Sequence, residues 1–333
     1  FIPPEPEWYN RVLEPVVDPE RPIVDPHHHL WRKDEQGFDY LLPELLADTG
    51  SGHNVVKTVF VNCQTNYWTT GADHLRPVGE TAFVARLAKE QAQMPGSKIA
   101  GIIGHADLTR GTEVEEALEA HEEAGGGLFR GIRHSLAHPE YPEVLMIPGR
   151  APAGLSASKS FRSGVHRLGK LGYIFESWHF HYQIAEFTAL ARALPETTMI
   201  LNHLGTPLGV GPYESQRTEI FERWSEAMKT LAECPNVFAK LGGLAMPDNG
   251  FGWHLADRPA TSDEIVSAQA HYYNHAIDCF GPDRCMFESN FPVDRLSVSY
   301  RVLYNAFKKI AMQYSDQEQA QMFADTALDT YRI

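Results

Sequence analysis

Cysteine is scarce in this chain: Cys63, Cys234, Cys279 and Cys285 are the four among 333 residues, and no two share a CxxC spacing. A disulfide scaffold is thereby excluded, and reduced, mostly buried thiols suited to a cytoplasmic setting are expected. Long apolar runs are missing as well. Nothing approaches the ~18 residues needed to cross a bilayer, and the opening FIPPEPEWYNRVLEPVVDPE is acidic and proline-rich without the apolar stretch of a leader. Positive charge is the third shortage, with 29 Lys and Arg against 43 Asp and Glu for a net charge of −14. So acidic a chain is not drawn to nucleic acid or to an anionic membrane, and any anionic ligand has to be held by a few local cations. What is present suits a globular enzyme. The balance of 43% hydrophobic, 11% aromatic and 22% charged residues excludes disordered, collagenous and coiled-coil chains.

From Ile23 onward, short β-branched runs alternate with amphipathic stretches, the pattern of repeated βα units around a parallel sheet. The strand candidates are Ile23–His27, Thr58–Asn62, Ile99–Ala106, Leu128–His134, Tyr173–Ser177, Met199–Leu201, Val237–Leu241 and Cys285–Glu288. Eight such units predict a single (β/α)8 TIM barrel over residues 23–333, preceded by an N-terminal extension over 1–22. The helices show in their period. Ile184, Phe187, Leu190, Ala191 and Leu194 share one face, as do Val298, Val302, Leu303, Ala306, Phe307 and Ile310. Thr112 with Glu115 reads as a capping box heading a helix that Gly125, Gly126 and Gly127 end. Two long loops, Ala137–Lys159 and Ala245–Pro259, follow strand candidates and are expected over the C-terminal mouth, where barrels of this kind carry their chemistry.

The strongest chemical signal is Val24-Asp25-Pro26-His27-His28-His29-Leu30-Trp31, a strand that ends in histidines. Side chains two apart on a strand share a face, so His27 and His29 point into the mouth together and His28 points away. Two imidazoles so placed can bind one divalent metal, zinc first among the candidates. Core histidines that satisfy one another, or a tag remnant, are the plain alternative, but a tag sits at a terminus and follows no strand pattern. His203, in Asn202-His203-Leu204-Gly205-Thr206-Pro207, leaves the sixth strand candidate and is the natural third ligand. At the end of the eighth, Glu288 and Asn290 share a face, and Asp294 follows either as a functional carboxylate or as the cap of the next helix.

Together, Asp25-x-His27-x-His29, Arg130-Gly-Ile-Arg133-His134, Asn202-His203-Leu204-Gly205-x-Pro207, Lys240-Leu-Gly-Gly-Leu244 and Ser289-Asn290-Phe291-Pro292-Val293 resemble the amidohydrolase superfamily. The resemblance is to its lactonase-like branch of TIM-barrel metal-dependent hydrolases, related to sugar lactonases and 2-pyrone-4,6-dicarboxylate lactonase, and it spans nearly all of the sequence after the first twenty residues. It implies a metal site of His27, His29 and His203 with an acid from strand eight, hydrolysing an ester-like bond. At one point the sequence differs from the branch: many relatives carry Ser-Asp-Trp-Pro where Ser-Asn-Phe-Pro stands here, which puts Asn290 at the place of the expected carboxylate. An amide can hydrogen-bond or coordinate weakly, but it cannot take a proton from water. The replacement base is sought in Asp294 first, Glu288 second, with Glu176 and the histidines His179 and His181 as further candidates.

Arg130 and Arg133 differ in parity, so one of them faces the lumen, where a guanidinium would hold a substrate carboxylate or polarise a carbonyl. Lys240, Gln64, Asn66, Tyr67, Trp68, Trp253, His254, His179 and His181 are the further candidates for a substrate-facing wall. The expected activity is hydrolysis of a small cyclic ester bearing a carboxylate or several oxygens. A hydratase or a nonoxidative decarboxylase of a carboxylated ring is the alternative chemistry, and a barrel that has lost its chemistry and only binds ligand is the alternative class. A homo-oligomer is left open.

Overall fold

A computed structural model describes residues 3–333. Its eight strands are β1 (Pro22–His28), β2 (Asn54–Val61), β3 (Lys98–Gly104), β4 (Phe129–Arg133), β5 (Ile174–Ser177), β6 (Met199–Leu201), β7 (Val237–Leu241) and β8 (Cys285–Phe287). They pair in parallel in that order, with helices between them, as a (β/α)8 barrel. All eight expected strands are present, and β6 and β7 have the expected bounds.

Strand periodicity divides the core into two shells. Val59, Val61, Ile103, Ile174, Ile200 and Met286 fill the barrel interior. Their alternates Phe60, Ile102, Phe175, Leu201 and Phe287 pack outward under the helices. The same parity carries inward the residues nearer the C-terminal ends: Arg133 pairs in register with Glu176, and Lys240 with Met286. The last helix, Thr326–Tyr331, seals the interior from the other end through Ala327 and Tyr331.

β8 makes no ladder with β1. The barrel closes instead through the segment that follows β8, where the Asn290 N–H donates to the His27 carbonyl at 3.0 Å and the His29 N–H to the Phe291 carbonyl at 2.8 Å. The extension lies against the barrel helices, its Glu14 carboxylate accepting from the N–H and hydroxyl of Ser262 at 2.8 and 2.6 Å. Phe1 and Ile2 fall outside the described residues. No helix among the described residues is long and apolar enough to cross a membrane.

One expected local feature does not form. The helix after β3 begins at Glu115 out of a 3-10 turn over Leu108–Val114, and Thr112 does not cap it. Glu115 is drawn instead to Arg167, 2.6 Å away on the following helix, while Gly126 ends the run in a left-handed conformation as expected. Phe287 stacks on Phe307 and Phe323 at 4.9 and 4.6 Å and is fully buried. Phe287→Ala should therefore cost about 3–5 kcal/mol of unfolding free energy. Urea denaturation checks this; a loss under about 1 kcal/mol would mean that the stack does not support the wall.

Candidate active site

At the C-terminal end of β1, His27 and His29 turn inward and His28 turns out, its Nε2 3.0 Å from the Thr58 hydroxyl. Burial pushes the His28 pKa down to about 4. Glu288, the first residue after β8, lies between two histidines, with one carboxylate oxygen 2.8 Å from His27 Nδ1 and the other 2.7 Å from His203 Nδ1. It also accepts from the His203 N–H at 3.1 Å. His29 points its Nδ1 at the Val61 carbonyl, 2.8 Å away. Burial, reinforced by neighbouring cations, holds the pKa values of His27 and His29 far below the ordinary imidazole range, so both rings are neutral.

These contacts fix the tautomer of His203 alone. At His27, Nδ1 lies 2.8 Å from a Glu288 oxygen but also 3.3 Å from the Lys240 ammonium, which can only donate, while Arg133 is 3.4 Å from its Nε2. In His203 the Nδ1 proton goes to Glu288 and leaves Nε2 as a lone pair at the cavity that His203 lines.

Two cations complete the layer, Lys240 buried and Arg133 half-buried. Lys240 is fully buried and pairs with Glu176 at 2.7 Å. Glu176 also accepts from Asn202 at 2.8 Å and from the Tyr331 hydroxyl. Arg133 donates to the Asn62 carbonyl and to Asn202 Oδ1 at 3.5 Å, and it has no carboxylate within ion-pair distance among the described residues. A half-buried guanidinium without a carboxylate leaves a charge that is partly withdrawn from water and open to something anionic.

Beyond β8 the backbone turns left-handed at Asn290, with φ of +53°. Its side-chain N–H donates to Asp294 at 2.8 Å, and the other Asp294 oxygen accepts from the Ala245 N–H at 3.1 Å. Asn290 Oδ1 is consequently turned from Asp294, buried and without a partner, on the wall of the cavity. Asp294 is fully buried behind it, and burial raises its pKa well above the carboxylate range. Of the two candidate bases, Glu288 is the carboxylate beside the histidines, and Asp294 lies behind Asn290.

A cavity of about 600 Å³ opens above this layer. Of the wall candidates it includes Gln64 and Arg133, with His29, His203 and Asn290 from the chemical set. It does not include Arg130, Tyr67, His179, His181, Lys240 or Trp253. Arg130 is near the start of β4, held to the Gly127 and Phe129 carbonyls, as the parity argument requires once Arg133 faces in. β5 ends at Ser177, so alternation no longer governs His179 and His181. His179 rests on Phe187 with its Nδ1 2.8 Å from the Ser177 hydroxyl, and His181 accepts from the Leu208 N–H. Trp253 stacks on Phe251, and the Tyr67 hydroxyl accepts from Asn62 behind the wall. The cavity also contains Trp178, the segment Met146 to Pro152 of the loop expected over the mouth, and His105, which sequence reasoning did not single out. His105 follows β3 much as His203 follows β6, so the strand-end rule could have found it.

The donor set suits a metal. His27, His203 and Glu288 offer two nitrogens and an oxygen, all within 4.8 Å of one another, and the His29 ring is 4.9 Å from that of His27. An ion reaching His27 must displace either its Glu288 or its Arg133 contact.

Residues 24–333 match the family profile described as Amidohydrolase. Over 332 residues the chain is 33% identical to the uncharacterized protein y4mH of Sinorhizobium fredii, covering 93% of this chain and 98% of that protein. It is 25% identical over 322 residues to an L-fucono-1,5-lactonase of Burkholderia multivorans, covering 93% and 96% respectively. Crystal structures of an amidohydrolase from Burkholderia multivorans share the fold at 24% identity, over 93% of this chain and 99% of theirs. One has bound HEPES and a TM-score of 0.72, the other bound zinc and a TM-score of 0.71.

The site leaves no room behind His203. Gly243 has φ of +72°, and a Cβ there would lie 2.5 Å from the imidazole Cγ. Gly243→Ala should displace the ring and lower kcat by about 10²-fold, the scale of a misplaced catalytic group. Steady-state kinetics alongside a thermal melt check this, and wild-type kcat in the folded variant would refute it.

Proposed function

The chain belongs to the amidohydrolase family and is a hydrolytic enzyme, and from that premise we propose that it opens a small lactone to its hydroxy acid. The observation that carries the reading is the buried Glu288 carboxylate hydrogen-bonded to His203 of the cavity wall, with His27 2.8 Å away on its other side. The relatives named L-fucono-1,5-lactonase support a lactone as the ester.

Arg133 donates to the carbonyl oxygen of the bound lactone and stabilises the negative charge that develops on it when water attacks. Asn290 Oδ1, unpartnered at the wall, accepts a hydrogen bond from that water and orients it. In the protein without an ion, His203 Nε2 takes the proton of the attacking water while its Nδ1 proton stays on Glu288. The same proton passes to the ring oxygen as the acyl C–O bond breaks, which leaves a carboxylic acid and a free hydroxyl. A divalent ion, zinc first, would be held by His27, His203 and Glu288 with His29 beside them, and it would supply Lewis acidity and a bound water of pKa about 7. Lys240 and Glu176 keep the base of the layer neutral overall and fixed.

A panel of sugar lactones followed by proton release tests the reading, with ring opening and no loss of CO₂ as the expected product pattern. Glu288→Gln should lower kcat by about 10²–10⁴-fold, because one substitution removes the partner of two imidazoles. Asp294→Asn should cost less, roughly tenfold, as an indirect effect on Asn290. The reverse ranking would restore Asp294 as the base. In a separate measurement, His27→Ala and His203→Ala should each strip most of the metal retained by the purified protein, read by elemental analysis. Full metal retention in both variants would remove the ion from this site.

A further inference from the structure

The cavity wall contains no Asp or Glu, although the protein has 43 of them. Its cations are Arg133 at the floor and Arg150 on the segment that follows β4. Arg133 is engaged beside His27, where the reacting carbonyl is placed above. Arg150 is exposed and makes no ion pair or side-chain hydrogen bond with any described residue.

The backbone on both sides of Arg150 is fixed. The Met146 and Ile147 N–H groups donate to the two oxygens of Asp248 at 2.7 and 2.9 Å, which ties this loop to the one after β7. The Ala151 N–H donates to the Ala137 carbonyl at 3.0 Å, and the Ala151 carbonyl accepts from His138 at the same distance. Between these anchors Gly149 has φ of +70°, with Ala137 so close that a Cβ would come within 2.6 Å of it. Arg150 is thus an unneutralised cation presented from a rigid backbone into a cavity from which carboxylates are absent. On so acidic a protein, such a patch is the place where a negative group is attracted rather than repelled.

We infer that Arg150 is a specificity-determining residue that binds a free carboxylate on the substrate, remote from the lactone carbonyl. The substrate class is a sugar-acid lactone with a second, ionised carboxyl group. The inference rests on the lactonase reading for the reaction and on the wall itself for the charge. A guanidinium fork pairs with a carboxylate through two parallel hydrogen bonds, which a hydroxymethyl group in its place cannot match.

The test compares D-glucaro-1,4-lactone with D-glucono-1,4-lactone, which differ at the sixth carbon by a carboxylate against a hydroxymethyl group. Wild-type protein should prefer the acidic lactone by about tenfold or more in kcat/KM, the scale of a charge-assisted hydrogen bond. Arg150→Ala should abolish that ratio, Arg150→Lys should restore part of it, and Arg150→Glu should invert it. An unchanged ratio in Arg150→Ala, or no acidic preference in wild type, overturns the inference. If neither lactone is opened, the lactonase reading fails by itself, and calorimetric binding of the linear dicarboxylate D-glucarate decides the inference separately. A loss of affinity of about tenfold in Arg150→Ala supports it, and equal affinity, or no binding by wild type, overturns it.

Discussion

The site is organised by one constraint: a carboxylate buried at the end of a barrel strand has to be compensated by nearby donors. Glu288 meets it at His203, whose backbone N–H and Nδ1 both donate to one oxygen, and sets its other oxygen 2.8 Å from His27 Nδ1. The His203 contact sets which nitrogen of that ring carries a proton. Closing the barrel uses the same stretch of backbone, because the residues just after Glu288 hydrogen-bond to His27 and His29 in place of a β8–β1 ladder. The wall that holds the carboxylate and the wall that holds the histidines are therefore one structure.

Charge balance follows from this arrangement. Below the histidines, Lys240 and Glu176 compensate each other, and the last helix contributes the Tyr331 hydroxyl to the pair. Above, Arg133 has no carboxylate partner among the described residues and faces the cavity. One cation is matched internally and the other is left for whatever enters. The loops after β4 and β7 are held to each other by Asp248.

Much of this was legible in the sequence, for reasons that are physical. The fold could be read because strand alternation and helix period are local properties, and eight repeats of them have few other closed arrangements. His27, His29, His203 and Arg133 could be read because each is at or next to the end of a strand, where parity still predicts direction. Legibility ended where regular backbone ended. His179 and His181 lie past the end of β5, and both turn away into packed surroundings. Asn290 adopts a left-handed backbone, so the segment leaves the strand direction and takes Asp294 behind the wall. Lys240 was expected on the substrate-facing wall but lies below the cavity, because its partners come from a strand two places away and from the C-terminal helix, pairings that no local pattern encodes. Arg150 is in an irregular loop, and only the three-dimensional wall reveals that carboxylates are absent around it.

The central physical claim is that Glu288 fixes His203 as the Nδ1–H tautomer and leaves its Nε2 as the proton acceptor. Nitrogen-15 NMR of the imidazole rings in metal-free protein tests it directly. The expected result is a protonated Nδ1 and an unprotonated Nε2 signal for His203, with the pattern lost in Glu288→Gln. An Nε2-protonated His203, or a spectrum indifferent to that substitution, would contradict it.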